Sequence, residues 1–244
     1  MNAILKIAAC LGMIAGGAAP AHGADVTLRS TAGRTHLLEL YTSEGCSSCP
    51  PAEKWMSTLK ASPRLWKDFV PVAFHVDYWD GLGWPDRFAS KAHTARQRAY
   101  AAAWGSGTVY TPGFVLDGRE WQDRSLERIP KPDGAAGLLS ATIRDRKTVA
   151  VTYAPSRAGR WEVHVAVLGF GMNSDVKAGE NSGRKLLHDF VVLAHEAKAM
   201  ALEAGSARAE ILMPALGAEG QVGVAVWVTE AGKPQPAQAV GGNL

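Results

Sequence analysis

The pattern of apolar and polar residues along the chain changes near residue 147. Before it, nearly continuous apolar runs alternate with segments of helical period, as is typical of strands covered by helices on both faces. We therefore predict an α/β domain over residues 24–146. Its expected elements are strands at 36–41 and 69–77, helices at 48–61 and 90–104, a hairpin at 109–119 and a closing helix at 138–146.

After residue 147 the apolar segments are short, alternate with polar residues and are separated by Gly and Pro turns. This pattern predicts a mainly β, sandwich-like domain over residues 147–244. One segment stays open between two interpretations, because 186–200 fits a strand in its first half and a helix in its second. The expected strands lie at 148–153, 161–168, 211–213 and 222–228.

The first 23 residues have the pattern of an export signal. A short start that ends at Lys6 precedes an apolar segment and the small residues Ala19-Pro20-Ala21. An uncleaved membrane anchor is the alternative, but the apolar run is short for crossing a bilayer. We expect a periplasmic or secreted protein. Removal of residues 1–23 would also remove Cys10, leaving Cys46 and Cys49 as the thiols of the mature chain.

The two remaining cysteines form the motif Cys46-Ser47-Ser48-Cys49, between an apolar strand and a predicted helix. The free N–H groups and the dipole at a helix start favour a thiolate, so Cys46 is predicted to be a nucleophile. Cys49 is close enough in sequence to resolve a mixed disulfide. A structural disulfide and a Cu(I) or Zn site remain alternatives, although no second C-x-x-C or nearby His-x-x-x-His supports a metal.

Composition excludes some partners. The net charge of +3 over 244 residues is small, and no basic run concentrates it, so neither nucleic acid nor an anionic membrane surface is expected. A hydrophobic content of 47% is sufficient for a sizeable core. No segment after the predicted signal is apolar for long enough to cross a membrane.

These motifs resemble those of the thioredoxin superfamily. The order β-α-β-α-β-β-α is that of a thioredoxin fold, and Thr111-Pro112 precedes the hairpin as does the cis-proline loop that faces the two cysteines in that superfamily. A closer similarity is to a family of secreted bacterial thioredoxin-like proteins of unknown function. It rests on residues 40–51, 75–80, 83–84, 95–100, 110–112 and 179–181. The resemblance implies a thioredoxin-like fold for residues 24–146.

The chain also departs from thioredoxin. Leu40 stands where thioredoxin has a buried carboxylate, and Glu39, one residue earlier, should point to the opposite face of the strand. We therefore expect Asp77, at the end of the neighbouring strand, to accept the proton of Cys49, with Glu44 as a second candidate. His75 is interpreted as a core histidine.

The predicted groove for a substrate lies beside the dithiol. Tyr78 and Trp79 are expected to form its wall, although a rigid loop capping the strand is an equal alternative. With Pro112 in cis, Thr111 would offer its backbone to an extended peptide, whereas a trans proline would make an ordinary turn. Arg96 and Arg98 are expected on a solvated helix face. For 179–181, a functional loop and a simple turn remain open.

Two functional hypotheses follow. The first is an exported thiol-disulfide oxidoreductase that acts on a disulfide- or thiol-bearing protein or a small thiol, with an external redox partner and without a bound cofactor or metal. The second is a non-catalytic binding protein that uses the same scaffold to hold a partner or copper and carries a structural disulfide. Reactivity of Cys46 distinguishes the two hypotheses.

Overall fold

The structure is a computed structural model that describes residues 25–213 and 221–244. The predicted signal peptide, with Cys10, lies outside the described residues. Among the described residues, no helix has the length and apolar character needed to cross a membrane. The helices are α1 (Cys49–Thr58) and α2 (Lys91–Ala103), with 3₁₀ segments at Leu59–Ala61, Asp77–Leu82 and Leu126–Arg128. The strands are β1 (Val26–Arg29), β2 (His36–Thr42), β3 (Phe69–His75), β4 (Gly113–Leu116), β5 (Arg119–Glu120), β6 (Leu138–Arg144), β7 (Thr148–Ala154), β8 (Trp161–Gly169), β9 (Met172–Asp175), β10 (Lys185–His188), β11 (Val191–Ala199), β12 (Ala201–Glu203), β13 (Ser206–Leu212), β14 (Val222–Glu230) and β15 (Pro236–Asn243).

The predicted thioredoxin-like α/β fold class is wrong. Strands make up 44% of the structure and helices 16%, and the strands form several sheets. The predicted closing helix at 138–146 is strand β6, in which Leu139, Ala141 and Ile143 are buried at alternate positions. A period of two buries one face of a strand, and pairing with β7 satisfies its backbone. The ambiguous segment 186–200 falls largely in two strands, β10 and β11.

The largest sheet draws strands from both halves of the chain. Its eight strands follow the order β15-β14-β8-β11-β3-β2-β4-β5. The pair β2 and β3 is parallel, whereas β4 is antiparallel to β2 and β8 is antiparallel to β11. A second sheet has the order β1-β6-β7-β13-β12, and β9 pairs with β10. The boundary expected at 146/147 therefore lies between two paired strands of one sheet.

Two apolar cores lie on opposite faces of the eight-stranded sheet. In the first, Met56 of α1 and Tyr100 of α2 are clustered with Leu40 and Phe74 of the sheet. The second lies between the two large sheets, with Leu139, Ile143, Val165 and Val226 among its members. All seven residues of β2 and of β3 are buried, as expected for strands covered on both faces.

A buried ion pair ties α2 to the central strand β2. Glu39 is fully buried and accepts hydrogen bonds from Arg96 Nε at 2.7 Å and Nη2 at 3.0 Å, and from the hydroxyls of Tyr41 and Tyr100. The prediction that Arg96 lies on a solvated face is therefore wrong, because Glu39 draws it inward, whereas Arg98 is exposed. Glu39 faces α2, while Thr42 of the same strand contacts α1.

Candidate functional site

The two cysteines lie where β2 ends and α1 begins. A turn closes with the Cys46 N–H donating to the Ser43 carbonyl, and Cys49 is the first residue of α1. Pro50 and Pro51 follow in the first turn, where a missing N–H costs no helical hydrogen bond. Both cysteines are free thiols with no exposed surface. The predicted pair of thiols between β2 and α1 is confirmed, but Cys46 lies in the turn before the helix, and Cys49 is the residue at the helix start.

The surroundings of the two thiols drive their pKa values apart. The Cys46 Sγ lies 3.2 Å from Ser48 Oγ and 3.7 Å from the Thr111 carbonyl oxygen. A hydrogen bond from Cys49 is the main cause that lowers the pKa of Cys46 to about 6, against the opposing effect of burial. Burial, together with the neighbouring Cys46, raises the pKa of Cys49. Near neutral pH, these surroundings favour the thiolate form of Cys46 and the thiol form of Cys49.

The residues predicted for the groove do lie around this dithiol. The Thr111-Pro112 peptide bond is cis. Trp79 Nε1 donates a hydrogen bond to Thr111 Oγ1 at 2.8 Å, and the Tyr78 hydroxyl donates to Gln97. Burial raises the pKa of Tyr78 to about 12, with the nearby cysteines adding to the effect. Thr111, Pro112, Tyr78 and Trp79 thus form one side of the site.

The two carboxylates predicted to assist proton transfer lie elsewhere in the site. Asp77 Oδ1 accepts a hydrogen bond from Thr94 of α2 at 2.5 Å, so its hydrogen bonds lead to α2. Glu44 is buried, and its carboxylate accepts from Trp84 Nε1 at 2.6 Å. Burial opposes ionisation of Glu44, but the nearby His188, Ser174 and Trp84 lower its pKa.

The sequence analysis missed Glu53, which stands one helical turn after Cys49. Thr42 Oγ1 donates to Glu53 Oε1 at 2.5 Å, and the nearby Thr42 hydroxyl partly offsets the raised pKa of Cys49. Glu53 stands four residues after Cys49 in α1, so both lie on one face of the helix. This spacing is the signal by which Glu53 could have been found.

Behind Glu53 lies a cluster of buried histidines and carboxylates. His188 Nδ1 is hydrogen-bonded to Glu53, and its Nε2 lies 3.2 Å from Glu44 Oε1. Burial opposes a charge on His188, but these two carboxylates raise its pKa to about 10. His75 is a core residue, as predicted, yet its Nδ1 is 2.7 Å from Asp86 Oδ2. His188 comes from β10, and no sequence pattern links it to α1.

The loop between β9 and β10 covers the dithiol turn. Asn181 is fully buried, and its Nδ2 donates to the carbonyl oxygens of Glu44 at 2.8 Å and Cys46 at 2.9 Å. The Ser47 N–H donates to Glu180 Oε2 at 3.0 Å. The segment 179–181, which the sequence left open between a turn and a functional loop, is therefore part of the site.

A comparison with protein families identifies the family of the chain. A family described as "Protein of unknown function (DUF1223)" matches residues 37–229, from β2 to β14. The chain belongs to the DUF1223 family. The matched region of this DUF1223 protein contains both cysteines, the covering loop and the buried cluster. The predicted similarity to a family of unknown function is confirmed at this level, whereas these comparisons show no relationship to thioredoxins.

Two solved structures resemble the DUF1223 chain. One is a crystal structure of an Agrobacterium tumefaciens protein, a structural genomics target, with 25% identity and a TM-score of 0.60 over 88% of this chain and 96% of that one. The other is HBP35 of Porphyromonas gingivalis, with 16% identity and a TM-score of 0.59 over 88% of this chain and 76% of that one. The second likeness concerns the fold alone. No curated protein matches the chain.

The covering loop leads to a prediction for Asn181→Ala in the DUF1223 protein. The change removes two hydrogen bonds to the dithiol turn, each worth about 1 kcal/mol, and should make loop opening about thirtyfold easier. We expect Cys46 to be alkylated about thirtyfold faster by iodoacetamide, as measured by mass spectrometry. Asn173→Ala is the matched control, since Asn173 is exposed and bonds within its own turn. Equal rates in the two variants would contradict a covering role.

Proposed function

We propose that this DUF1223 protein is an exported thiol-disulfide oxidoreductase that uses Cys46 and Cys49. The observation that carries the proposal is the pair of free thiols, Cys46 in the turn before α1 and Cys49 at its first residue. Their surroundings lower the pKa of Cys46 and raise that of Cys49. A nucleophilic cysteine must be a thiolate, and a resolving cysteine should stay protonated until the mixed disulfide has formed. Export to the periplasm or the exterior belongs to the same proposal, because residues 1–23 have the pattern of an export signal.

The reaction proceeds in two exchange steps. The Cys46 thiolate attacks one sulfur of a substrate disulfide, forms a mixed disulfide and releases the other sulfur as a thiolate. Cys49 then attacks the Cys46 sulfur and closes the Cys46–Cys49 bond, and its proton goes to the departing substrate thiol. Two electrons pass from the protein to the substrate. An external dithiol restores the reduced protein, and the reverse sequence oxidises a substrate dithiol.

The remaining site residues have binding roles in this proposal. Thr111 and Pro112 would lie against the substrate backbone, because the Thr111 carbonyl oxygen is 3.7 Å from the reacting sulfur. Tyr78 and Trp79 would contact its side chains. Since Cys46 has no exposed surface, the loop that carries Asn181 must open before a substrate disulfide can reach the sulfur. Substrates are disulfide- or thiol-bearing proteins or small thiols.

The burial of both cysteines favours a second candidate function. A binding protein that holds a partner has no need of an accessible sulfur, and complete burial is typical of inert structural cysteines. In that case Cys46 and Cys49 would form a stable bridge that glutathione leaves closed. Equilibration of the pair with glutathione buffers, followed by quenching and mass spectrometry, separates the two functions. The oxidoreductase predicts a potential above about −300 mV.

The pH dependence of Cys46 alkylation gives a direct prediction. Only the thiolate reacts, so the rate in the folded, reduced protein should rise with pH around a midpoint of about 6 and level off above neutrality. In the urea-unfolded protein the midpoint should move to about 8.5. Cys49 should stay unmodified, since its pKa is raised. A midpoint near about 8.5 in the folded protein would contradict the proposed nucleophile.

The lowered pKa of Cys46 also makes the stability of the reduced protein depend on pH. Because folding lowers the pKa of Cys46, the thiolate stabilises the reduced fold above the unfolded pKa, and this contribution is lost as the pH falls through about 6. The reduced protein should therefore gain stability relative to its Cys46→Ser variant between about pH 6 and about pH 8.5. Urea unfolding at three pH values measures the difference.

A further inference from the structure

We infer that Glu53, His75 and His188 bind a divalent transition-metal cation, for which Zn²⁺ is the reference ion. The three residues come from α1, β3 and β10, and all are buried. This inference does not depend on the proposed redox function, since neither cysteine is a ligand. It assigns a second site to the same region of the molecule.

The geometry of the three side chains is close to that of a metal site. One donor atom from each of Glu53, His75 and His188 lies within 4.8 Å of the other two. Two atoms bound to one tetrahedral zinc ion at about 2.0–2.1 Å are about 3.3–3.4 Å apart. The three donors must therefore move closer to one another by at most about 1.5 Å to bind one ion.

A second observation concerns His75, which is fully buried. Its Nδ1 is held by Asp86 Oδ2 at 2.7 Å, while its Nε2 has no hydrogen-bond partner within the described residues. A buried nitrogen without a partner is costly unless it binds something. Metal-binding histidines typically give one nitrogen to the metal and the other to a carboxylate. His75 and Asp86 have that arrangement, with Nε2 as the nitrogen available to a cation.

The charge around the site also favours a cation. Three buried carboxylates, from Glu44, Glu53 and Asp86, meet two histidines here. Within residues 25–213 and 221–244, no Lys or Arg forms an ion pair with any of the three. A protonated His188 offsets one of these three charges, and the remaining excess of buried negative charge is expensive. A divalent ion that replaces the His188 proton would offset that excess.

The ligand set indicates which ion fits. Two imidazoles and one carboxylate are typical of zinc sites that keep a position for water, and of non-haem Fe(II) sites. They lack the number of oxygens that Ca²⁺ takes. A surface groove lined by Pro50, Glu53, Arg184 and Leu187 reaches one of the ligands, Glu53.

Zinc binding is tested in a protein without thiols, because reduced cysteines also bind zinc. The Cys46→Ser/Cys49→Ser double variant, made in a full chain that also carries Cys10→Ser, is dialysed against buffered Zn²⁺, and the bound metal is counted by mass spectrometry. We expect one zinc per chain. Adding His75→Gln should weaken binding by about a hundredfold or more, and Asp86→Asn by about 10- to 100-fold. His195→Gln replaces a histidine on β11 outside the cluster and should leave binding unchanged.

A spectroscopic measurement covers the case in which His75→Gln does not fold. Co²⁺ added to the folded, thiol-free double variant should give visible ligand-field bands of a nitrogen- and oxygen-bound ion, and Zn²⁺ should remove them. Glu53→Gln, which keeps the shape of the side chain, should lose the bands. The inference is overturned if the double variant binds neither ion, or if His75→Gln and His195→Gln bind zinc equally well.

Discussion

Cys46→Ser is expected to abolish disulfide exchange, lowering the rate by about a thousandfold or more. The hydroxyl fits the space of the thiol, but it is neither a thiolate nor a nucleophile toward sulfur at neutral pH. The protein should stay folded, because the change is nearly isosteric at a buried position. The measurement is the rate of reduction of a small aromatic disulfide by the pre-reduced protein.

Cys49→Ser should behave differently from Cys46→Ser. Cys46 still attacks the substrate, but nothing resolves the product, so a mixed disulfide should accumulate and be visible by intact mass. The control is Ser57→Ala on the same helix, which touches neither thiol and should leave exchange unchanged. Full activity of Cys46→Ser, or no reaction of either cysteine in the reduced wild type, would reject the oxidoreductase and favour the binding protein.

Glu39→Gln is expected to lower the free energy of unfolding by about 3–5 kcal/mol. The change leaves the Arg96 guanidinium, whose side chain is only 8% exposed, without a counter-charge, 5.1 Å from the centre of the Trp227 ring. It also weakens the acceptor for Tyr41 and Tyr100. Urea unfolding monitored by fluorescence measures the loss.

Two further variants make the expected loss specific to the buried pair. Glu210→Gln likewise removes the carboxylate of an ion pair, but the pair of Glu210 with Arg144 is exposed. The change should therefore lower the free energy of unfolding by less than about 1 kcal/mol. The double variant Glu39→Gln/Arg96→Met removes the stranded charge as well and should be more stable than Glu39→Gln alone. A loss for Glu39→Gln no larger than that for Glu210→Gln would show that the buried pair contributes little.

The second half of the chain is part of the candidate site. Asn181 and Glu180 hold the dithiol turn, and His188 joins Glu44 to Glu53. These contacts span about 135 residues of sequence, because β8, β11, β14 and β15 continue the sheet that carries β2 and β3. The strands after residue 147 therefore position side chains of the site in addition to forming the second core.

The local chemistry of the site was accessible from the sequence. The motif Cys46-Ser47-Ser48-Cys49 predicted a dithiol next to a helix, and Thr111-Pro112 predicted a proline turn before a hairpin. The buried strands β2 and β3 were visible as apolar runs, and β7, β8 and β14 as alternating ones. Each of these features depends on neighbours within a few residues, where backbone geometry and side-chain period determine the outcome.

Contacts between residues distant in sequence determined the features that the sequence analysis missed. The segment 138–146 carries residues that a helix also accepts, and only pairing with β1 and β7 makes it a strand. The sequence around Arg96 is typical of an exposed helix face, and only the ion pair with Glu39 of β2 draws the Arg96 side chain into the interior. His188 and Asn181 meet Glu53 and Cys46 solely because the chain returns there after more than 130 residues. Local patterns carry no information about such contacts, since the free energy that decides them comes from partners distant in sequence.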